Sequence, residues 1–346
     1  MLSFGPVRTD MDFDSPGKRA GFVDVAHSDN RLAFSSIRLP VGVIRGGAGP
    51  TVLLTAGNHG DEYEGQAILH RLMQGLAPED VPGRLILLPA LNLPAVLDRA
   101  RVSPLDGGNM NRAFPGAADA GPTSAIAGFV DRHLIPISDA ILDFHSGGTA
   151  TEYVDCGFLG LGDNHDLNHQ CLQLADWFGA PFTMLCPLDG SGGDFDTAAH
   201  RQGVPFLSCE LGGMGRYSPA SFRIGWNGCL RVLRALGCLG PEAGGDVPAA
   251  PVTRFIDIGP GGVHLTSDRH GLAEIDLVTG QGVVAGDTIG RIHDLHCFGT
   301  APAPLICPRD GILAVRRHNP VVAPGDHLCL ITEEVSRDTL RVRMGD

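Results

Sequence analysis

The chain has 346 residues, with 39 acidic against 26 basic side chains and a formal net charge of −13. Its length suggests about two domains. The acidic balance argues against nucleic acid or an anionic membrane as a partner, because both need a basic face, but leaves room for an anionic small substrate held by local arginines. No apolar run reaches the roughly 18 residues that read as a membrane-spanning helix, and the N-terminus MLSFGPVRTDMDFDSPGKR lacks the apolar core of a signal peptide.

Taken in order, residues 1–50 suggest short β-strands at Gly21–Val25, Leu32–Leu39 and Val41–Ile44, separated by Ser-Asp-Asn and Gly-Gly-Ala-Gly turn signals. From residue 51 to about 236, strand and helix patterns alternate. Strands are predicted at Thr51–Ala56, Arg84–Ala90, Ala140–His145, Val154–Leu159, Pro181–Cys186 and Val204–Glu210. Helices are predicted at Glu62–Gly75, Thr123–Ile135, His165–Phe178, Phe195–Gln202 and Ser218–Leu236. Apolar strands alternating with helices imply an α/β fold whose mixed, mostly parallel sheet is covered by helices on both faces. The long connection Leu91–Gly121 contains the ordered-looking string GGNMNRAFPG, which favours a functional loop. A Gly/Pro/Ala-rich stretch at 237–253 places a boundary between a catalytic domain, 1–240, and a C-terminal all-β module, 250–346. Within that module VVAGDTIG (283–290) and VVAPGDHLC (321–329) repeat one pattern, which resembles the biotinyl/lipoyl hybrid fold. In carrier domains of that fold the central turn presents a lysine. Here the turn is PRDGIL (308–313), so the module is expected to be structural or oligomerising rather than a carrier.

Polar residues cluster where the predicted strands end. Thr51–Ala56 leads to His59 and Glu62, Ala140–His145 ends on Asp143 and His145, and Val204–Glu210 ends on Glu210. In a parallel sheet these ends share one edge, where α/β ligands bind. Two histidines and one carboxylate on zinc, with a position left for water, form a hydrolytic metal site. Glu210 is then available to take a proton from water and pass it to a leaving amine. Asp143, two residues before His145 on a strand, shares its face and can orient the imidazole. Asn111 and Arg112, in Asn109-Met110-Asn111-Arg112, suit an anionic substrate end, since arginine binds carboxylate bidentately. Arg101 is a candidate to polarise a scissile carbonyl.

Rival chemistries are weaker. Lys18 is the only lysine, which leaves Schiff-base, Walker-type and lysine-tethered chemistry almost without a candidate. His165 and His169 are spaced for metal on one helix face but have no fixed carboxylate beside them except Asp166. No G-x-S-x-G elbow occurs, and the GPGG string at 259–262 lacks the strand–turn–helix setting of a nucleotide site. Nine dispersed cysteines without a C-x-x-C pair fit reduced, buried thiols in the cytoplasm.

The ordered set His59-Gly60-Asp61-Glu62, Asn109-Met110-Asn111-Arg112 with Phe114-Pro115-Gly116, Asp143-Phe144-His145 and Glu210 in CELGG resembles the succinylglutamate desuccinylase/aspartoacylase family of the zinc carboxypeptidase clan, over about residues 45–240. The resemblance implies one zinc ion per subunit on His59, Glu62 and His145. It implies Glu210 as general base, Arg101 as the carbonyl-polarising arginine, and Asn111 and Arg112 as binders of the substrate carboxylate. The activity implied is hydrolysis of a small N-acyl amino acid. The extended N-terminus and the C-terminal module look most like the bacterial branch that deacetylates Nα-acetyl-L-2,4-diaminobutyrate in ectoine breakdown. Activity on another acyl amino acid, a carboxypeptidase acting on peptides, and a non-catalytic binding protein remain as alternatives. The expected partner is a small molecule, and a homo-oligomer is compatible with the C-terminal module.

Overall fold

The structure is a computed structural model that describes residues 1–28, 33–188 and 192–345. The N-terminal region is two hairpins, β1 (Leu2–Phe4) with β2 (Val7–Thr9), and β3 (Gly17–His27) with β4 (Ser35–Arg45). The expected short strands of this region are two long ones. Most of Leu32–Leu39 and all of Val41–Ile44 form β4, which runs straight through Pro40. Most of the Ser-Asp-Asn turn signal, and Leu32, lie outside the described residues.

The α/β core follows. Its strands and helices in chain order are β5 (Thr51–Ala56), α1 (Glu64–Gly75), β6 (Arg84–Leu88), α2 (Leu93–Asp98), α3 (Pro122–His133), β7 (Ala140–His145), β8 (Thr151–Tyr153), β9 (Cys156–Leu161), α4 (His165–Phe178), β10 (Phe182–Pro187), α5 (Phe195–Arg201), β11 (Phe206–Glu210) and α6 (Pro219–Ala235). Boundaries shift from expectation for local reasons. Pro205 has no N–H to give, so β11 begins after it. Val154 donates its N–H to Ala314 rather than joining β9. α1 starts two residues later than expected, which leaves both His59 and Glu62 on the loop before it.

β6, β5, β7 and β11 are adjacent and parallel. Their C-terminal ends therefore share one edge, and Glu210 lies in register with His145 while Thr55 lies in register with Asp143. Every residue of β5 is buried, and the two-residue repeat of a strand divides them. Val52, Leu54 and Ala56 pack with Ile68, Leu72 and Phe178 on one face, while Leu53 packs with Ile126, Phe129 and Phe195 on the other. Burial of a large aliphatic side chain stabilises by roughly 1.5–3 kcal/mol, so both faces fix the register of the site-bearing strands.

The last hundred residues contribute β12 (Arg254–Thr266), β13 (Gly271–Ile275), β14 (Gly282–Val283), β15 (Thr288–His293), β16 (Ala303–Ile306), β17 (Gly311–Arg317), β18 (Val321–Val322), β19 (His327–Val335) and α7 (Arg337–Arg343). β12 joins β10 in parallel, so the large mixed sheet continues into β19, β17 and β14. β16, β15, β13 and β18 make a small antiparallel sheet. The sequence repeat has a counterpart in geometry. Asp287 N–H donates to Val284 O and Asp326 N–H to Ala323 O, each at 3.1 Å, and the preceding glycines Gly286 and Gly325 have φ of 90° and 89°. β17 also pairs with β8, placing Val315 opposite Tyr153, and Arg316 Nε donates to Glu152 Oε2 at 2.5 Å. Of the nine cysteines, only Cys186 and Cys297 are not buried. Among the described residues, no helix is long and apolar enough to cross a membrane.

Candidate metal centre and active site

The string His59-Gly60-Asp61-Glu62 does three separate jobs. His59 and Glu62 turn inward, His59 Nδ1 lying 2.8 Å from Glu62 Oε1. A Cβ on Gly60 would lie 1.9 Å from the Ala95 carbonyl oxygen, so only glycine lets α2 cross this loop. Asp61 Oδ2 accepts from the N–H of Thr149 at 2.7 Å and from its hydroxyl at 2.9 Å, tying the loop to the connection after β7. From the end of β7, His145 Nδ1 approaches Glu62 Oε2 at 3.0 Å. Ligand atoms of His59, Glu62 and His145 all lie within 4.8 Å of one another, and all three residues are buried.

Each imidazole turns Nδ1 toward Glu62 and Nε2 toward a second oxygen. His145 Nε2 lies 2.8 Å from Asp143 Oδ2, and His59 Nε2 lies 3.2 Å from Asn109 Oδ1. Asp143 is itself held by the Thr55 hydroxyl at 2.7 Å and by Asn58 Nδ2 at 3.2 Å. Burial opposes charge on Glu62, but the His145 and His59 rings hold its carboxyl down at about 2. Burial likewise opposes charge on His145, yet the Asp143 and Glu62 carboxylates on its two nitrogens push it well above its ordinary value. The pocket therefore favours positive charge beside Glu62. Two imidazole nitrogens and a carboxylate are a borderline donor set that suits zinc, so these residues fit the metal. Removing the buttress tests the arrangement: Asp143→Ala is expected to weaken metal affinity by roughly 10- to 100-fold in a chelator competition, and unchanged affinity would show that Asp143 does not orient the ligand.

These groups border a cavity of about 290 Å³, into which His59, Arg101, Asn111, Arg112, Asp143, His145 and Glu210 all face. Glu62 lies beneath it, bonded to both rings. Glu210 Oε2 is buried without a hydrogen-bond partner. Burial and the charge of Glu62 push the Glu210 carboxyl up to about 8, against the pull of His145 and Arg101. Arg101 Nη1 is 3.4 Å from His59 Nδ1 and 3.9 Å from Glu62 Oε1.

Asn111 and Arg112 are more constrained than free substrate-binding groups would be. Asn111 Oδ1 accepts from Phe195 N at 3.0 Å, and Arg112 pairs with Asp194 at the start of α5. Phe114 stacks on Phe195 with ring centroids 4.5 Å apart, which docks the NMNRAFPG string onto α5. The rival pair His165 and His169 sits on α4, away from this cavity, with His165 exposed. Sequence reasoning missed the separate contribution of Asn109, the props Thr55 and Asn58, and the cavity residues Tyr153, Asp196 and His264. The props were readable in part, since Thr55 and Asn58 are polar interruptions in an otherwise apolar strand end.

A second buried carboxyl lies behind the metal loop. Glu64 Oε1 accepts from Ser218 N at 2.6 Å, while its Oε2 is buried without a partner. Burial, with the charge of Asp155, pushes this carboxyl from 4.5 up to about 7. The native state then holds a proton that the unfolded chain releases, so stability falls as pH rises from about 4.5 and levels off above 7. Glu64→Gln cannot ionise. In metal-free protein it is expected to match wild type near pH 4.5 and to exceed it by about 3 kcal/mol at pH 8, read from chemical unfolding at the two pH values. An equal effect at both would place the cause elsewhere.

The fold and this centre define a metallohydrolase, and the chain belongs to the succinylglutamate desuccinylase/aspartoacylase family, whose catalytic domain matches residues 48–236. It is an enzyme that hydrolyses linear amide bonds. Among its relatives, the N-alpha-acetyl-L-2,4-diaminobutyric acid deacetylase of Halomonas elongata is 38% identical over 331 residues, covering 95% of this chain and 96% of that protein. The product-bound structure of the ectoine utilization protein EutE (DoeB) from Ruegeria pomeroyi superposes with a TM-score of 0.89 at 34% identity, covering 95% of this chain and 99% of that one. A succinylglutamate desuccinylase from a Silicibacter species superposes with a TM-score of 0.90 at 34% identity, covering 96% and 100%.

Proposed function

We propose that the protein is a zinc-dependent deacetylase that hydrolyses Nα-acetyl-L-2,4-diaminobutyrate to acetate and the free diamino acid, a step of ectoine degradation. The observation that carries this reading is the nearly full-length likeness, 38% over 331 residues, to a deacetylase of that substrate. His59, Glu62 and His145 would hold one zinc ion per subunit. Bound zinc would supply a Lewis acid that polarises the acetyl carbonyl and lowers the pKa of water to about 7. Glu210 takes a proton from the attacking water as the new C–O bond forms, and delivers it to the amide nitrogen as the C–N bond breaks. Its unpaired Oε2 is the atom that accepts and returns the proton. Arg101 donates toward the carbonyl oxygen as negative charge grows there. Arg112, backed by Asn111, holds the substrate α-carboxylate. Asp143 keeps the His145 ring turned with Nδ1 inward.

The division into a catalytic unit, 1–240, and a C-terminal β module, 250–346, belongs to the same reading. The module's repeated turns support a likeness to the biotinyl/lipoyl hybrid fold, used here for structure. Ile258, His264 and Leu330 bring it to one wall of the cavity, which favours small acyl amino acids over peptides. Nine cysteines dispersed along the chain fit the reducing cytoplasm.

The test is acetate, succinate or amino-acid release by zinc-loaded protein on acetyl-diaminobutyrate, acetyl-aspartate, succinyl-glutamate and a dipeptide, side by side. The expected kcat/KM for acetyl-diaminobutyrate exceeds the others by roughly 100-fold. Faster turnover of any of the other three would overturn the substrate assignment.

A further inference from the structure

The charges of the cavity are divided between two walls. Arg101 and Arg112 come from the connection between β6 and α3, whereas Asp194 and Asp196 come from the segment that opens α5. The two walls are held in registry. Arg112 pairs with Asp194, Phe195 N donates to Asn111 Oδ1 at 3.0 Å, and a Cβ on Gly193 would lie 2.2 Å from the Arg112 carbonyl oxygen. Asp196 brings a further carboxylate into the cavity. Its Oδ1 accepts from the adjoining N–H of Thr197 at 2.7 Å.

We propose that Asp196, together with Asp194, receives the side-chain ammonium of a diamino-acid substrate while Arg112 takes its α-carboxylate, so that the substrate exchanges the protein's own Arg112–Asp194 pair for two pairs with itself. The inference rests on the deacetylase reading above and adds to it the residue that selects the side chain. A diamino acid carries both charges on one short arm, and each meets its opposite on the matching wall. An N-acyl aspartate or glutamate brings a second carboxylate against Asp194 and Asp196 and is repelled. A neutral side chain frees no charge to repair the wall, and a site built to pair a charged group discriminates against an analogue that lacks it. The local environment agrees. Burial pushes the Asp196 carboxyl up to about 6, and the charges of Asp194 and Asp143 add to the shift. An arriving ammonium relieves both effects.

Asp196→Asn preserves shape and removes the charge. The probe pair is Nα-acetyl-L-2,4-diaminobutyrate and Nα-acetyl-L-norvaline, which places a methyl where the ammonium stands. Wild type is expected to prefer the ammonium substrate by roughly 100-fold in kcat/KM. In Asp196→Asn that ratio is expected to fall by about 10-fold or more, chiefly through KM. The ratio is taken within each variant and does not depend on the fraction folded. An unchanged ratio, or an equal loss on both substrates, overturns the assignment of Asp196 and leaves the deacetylase reading standing. A wild-type preference for acetylnorvaline or acetyl-aspartate overturns both.

Discussion

Glu210→Ala is expected to retain a full complement of metal and lose turnover by roughly 10³-fold or more, since one carboxylate serves as base for water and as acid for the amine. The two halves of this result have separate causes. Metal should be retained because the cluster that could hold it is His59, Glu62 and His145, and Glu210 stands outside it. Turnover is expected to be lost because Glu210 Oε2 is a buried, unpaired carboxylate oxygen on a residue that lines the cavity. A loss of this size is about 4 kcal/mol of transition-state stabilisation. The pH dependence carries a sign. Glu210 accepts a proton only when ionised, so kcat/KM should fall as pH drops through its pKa. Burial and Glu62 push that value up to about 8 in the metal-free protein, and a bound cation lowers it, so the acidic limb of the wild-type profile should lie below pH 8. Near-wild-type turnover in Glu210→Ala would remove it from the mechanism.

His145→Ala is expected to empty the centre. With one imidazole gone, two donors remain, and metal content after dialysis against a weak chelator should fall to a small fraction of one ion per chain. Activity should fall with it. The metal-free variant should also be less stable than metal-free wild type. Asp143 and Glu62 stand on either side of this ring, at 2.8 and 3.0 Å, and its removal leaves two buried carboxylates without the cation between them. Breaking a buried ion pair by deleting one partner costs about 3–5 kcal/mol. Full zinc stoichiometry in His145→Ala would exclude it from the ligand set.

The parts of the molecule legible in the sequence are those fixed by short-range pattern. β5, β7 and α4 match their expected bounds because an unbroken apolar run or a 3.6-residue repeat ends at a clear polar or glycine signal. The strands expected at Leu32–Leu39 and Val41–Ile44 meet in one strand, β4, because Pro40 takes its place opposite Phe22 in the β3–β4 ladder. The convergence of His59, Glu62, His145 and Glu210 was legible because strand ends in a parallel sheet share an edge. The ties between loops were not. Asn109 meets His59 across 50 positions, and Asp194 meets Arg112 across 82. Such contacts depend on how connections fold back over the sheet edge, and nothing in local spacing encodes them. For the same reason the sequence presents Arg112 as a free fork, whereas the structure shows it already paired.

The pairing of β8 with β17 bears on the order in which the chain is assembled. Tyr153, whose hydroxyl is kept protonated by burial and by the neighbouring Glu210 charge, stands in register with Val315, 162 positions later. Synthesis proceeds from the N-terminus, and domains generally fold as units in that order. His59, Glu62, His145 and Glu210 are all made by residue 210, but Leu330 on the cavity wall comes from β19. A chain still on the ribosome thus carries His59, Glu62, His145 and Glu210 before it carries the last residues that line the same cavity.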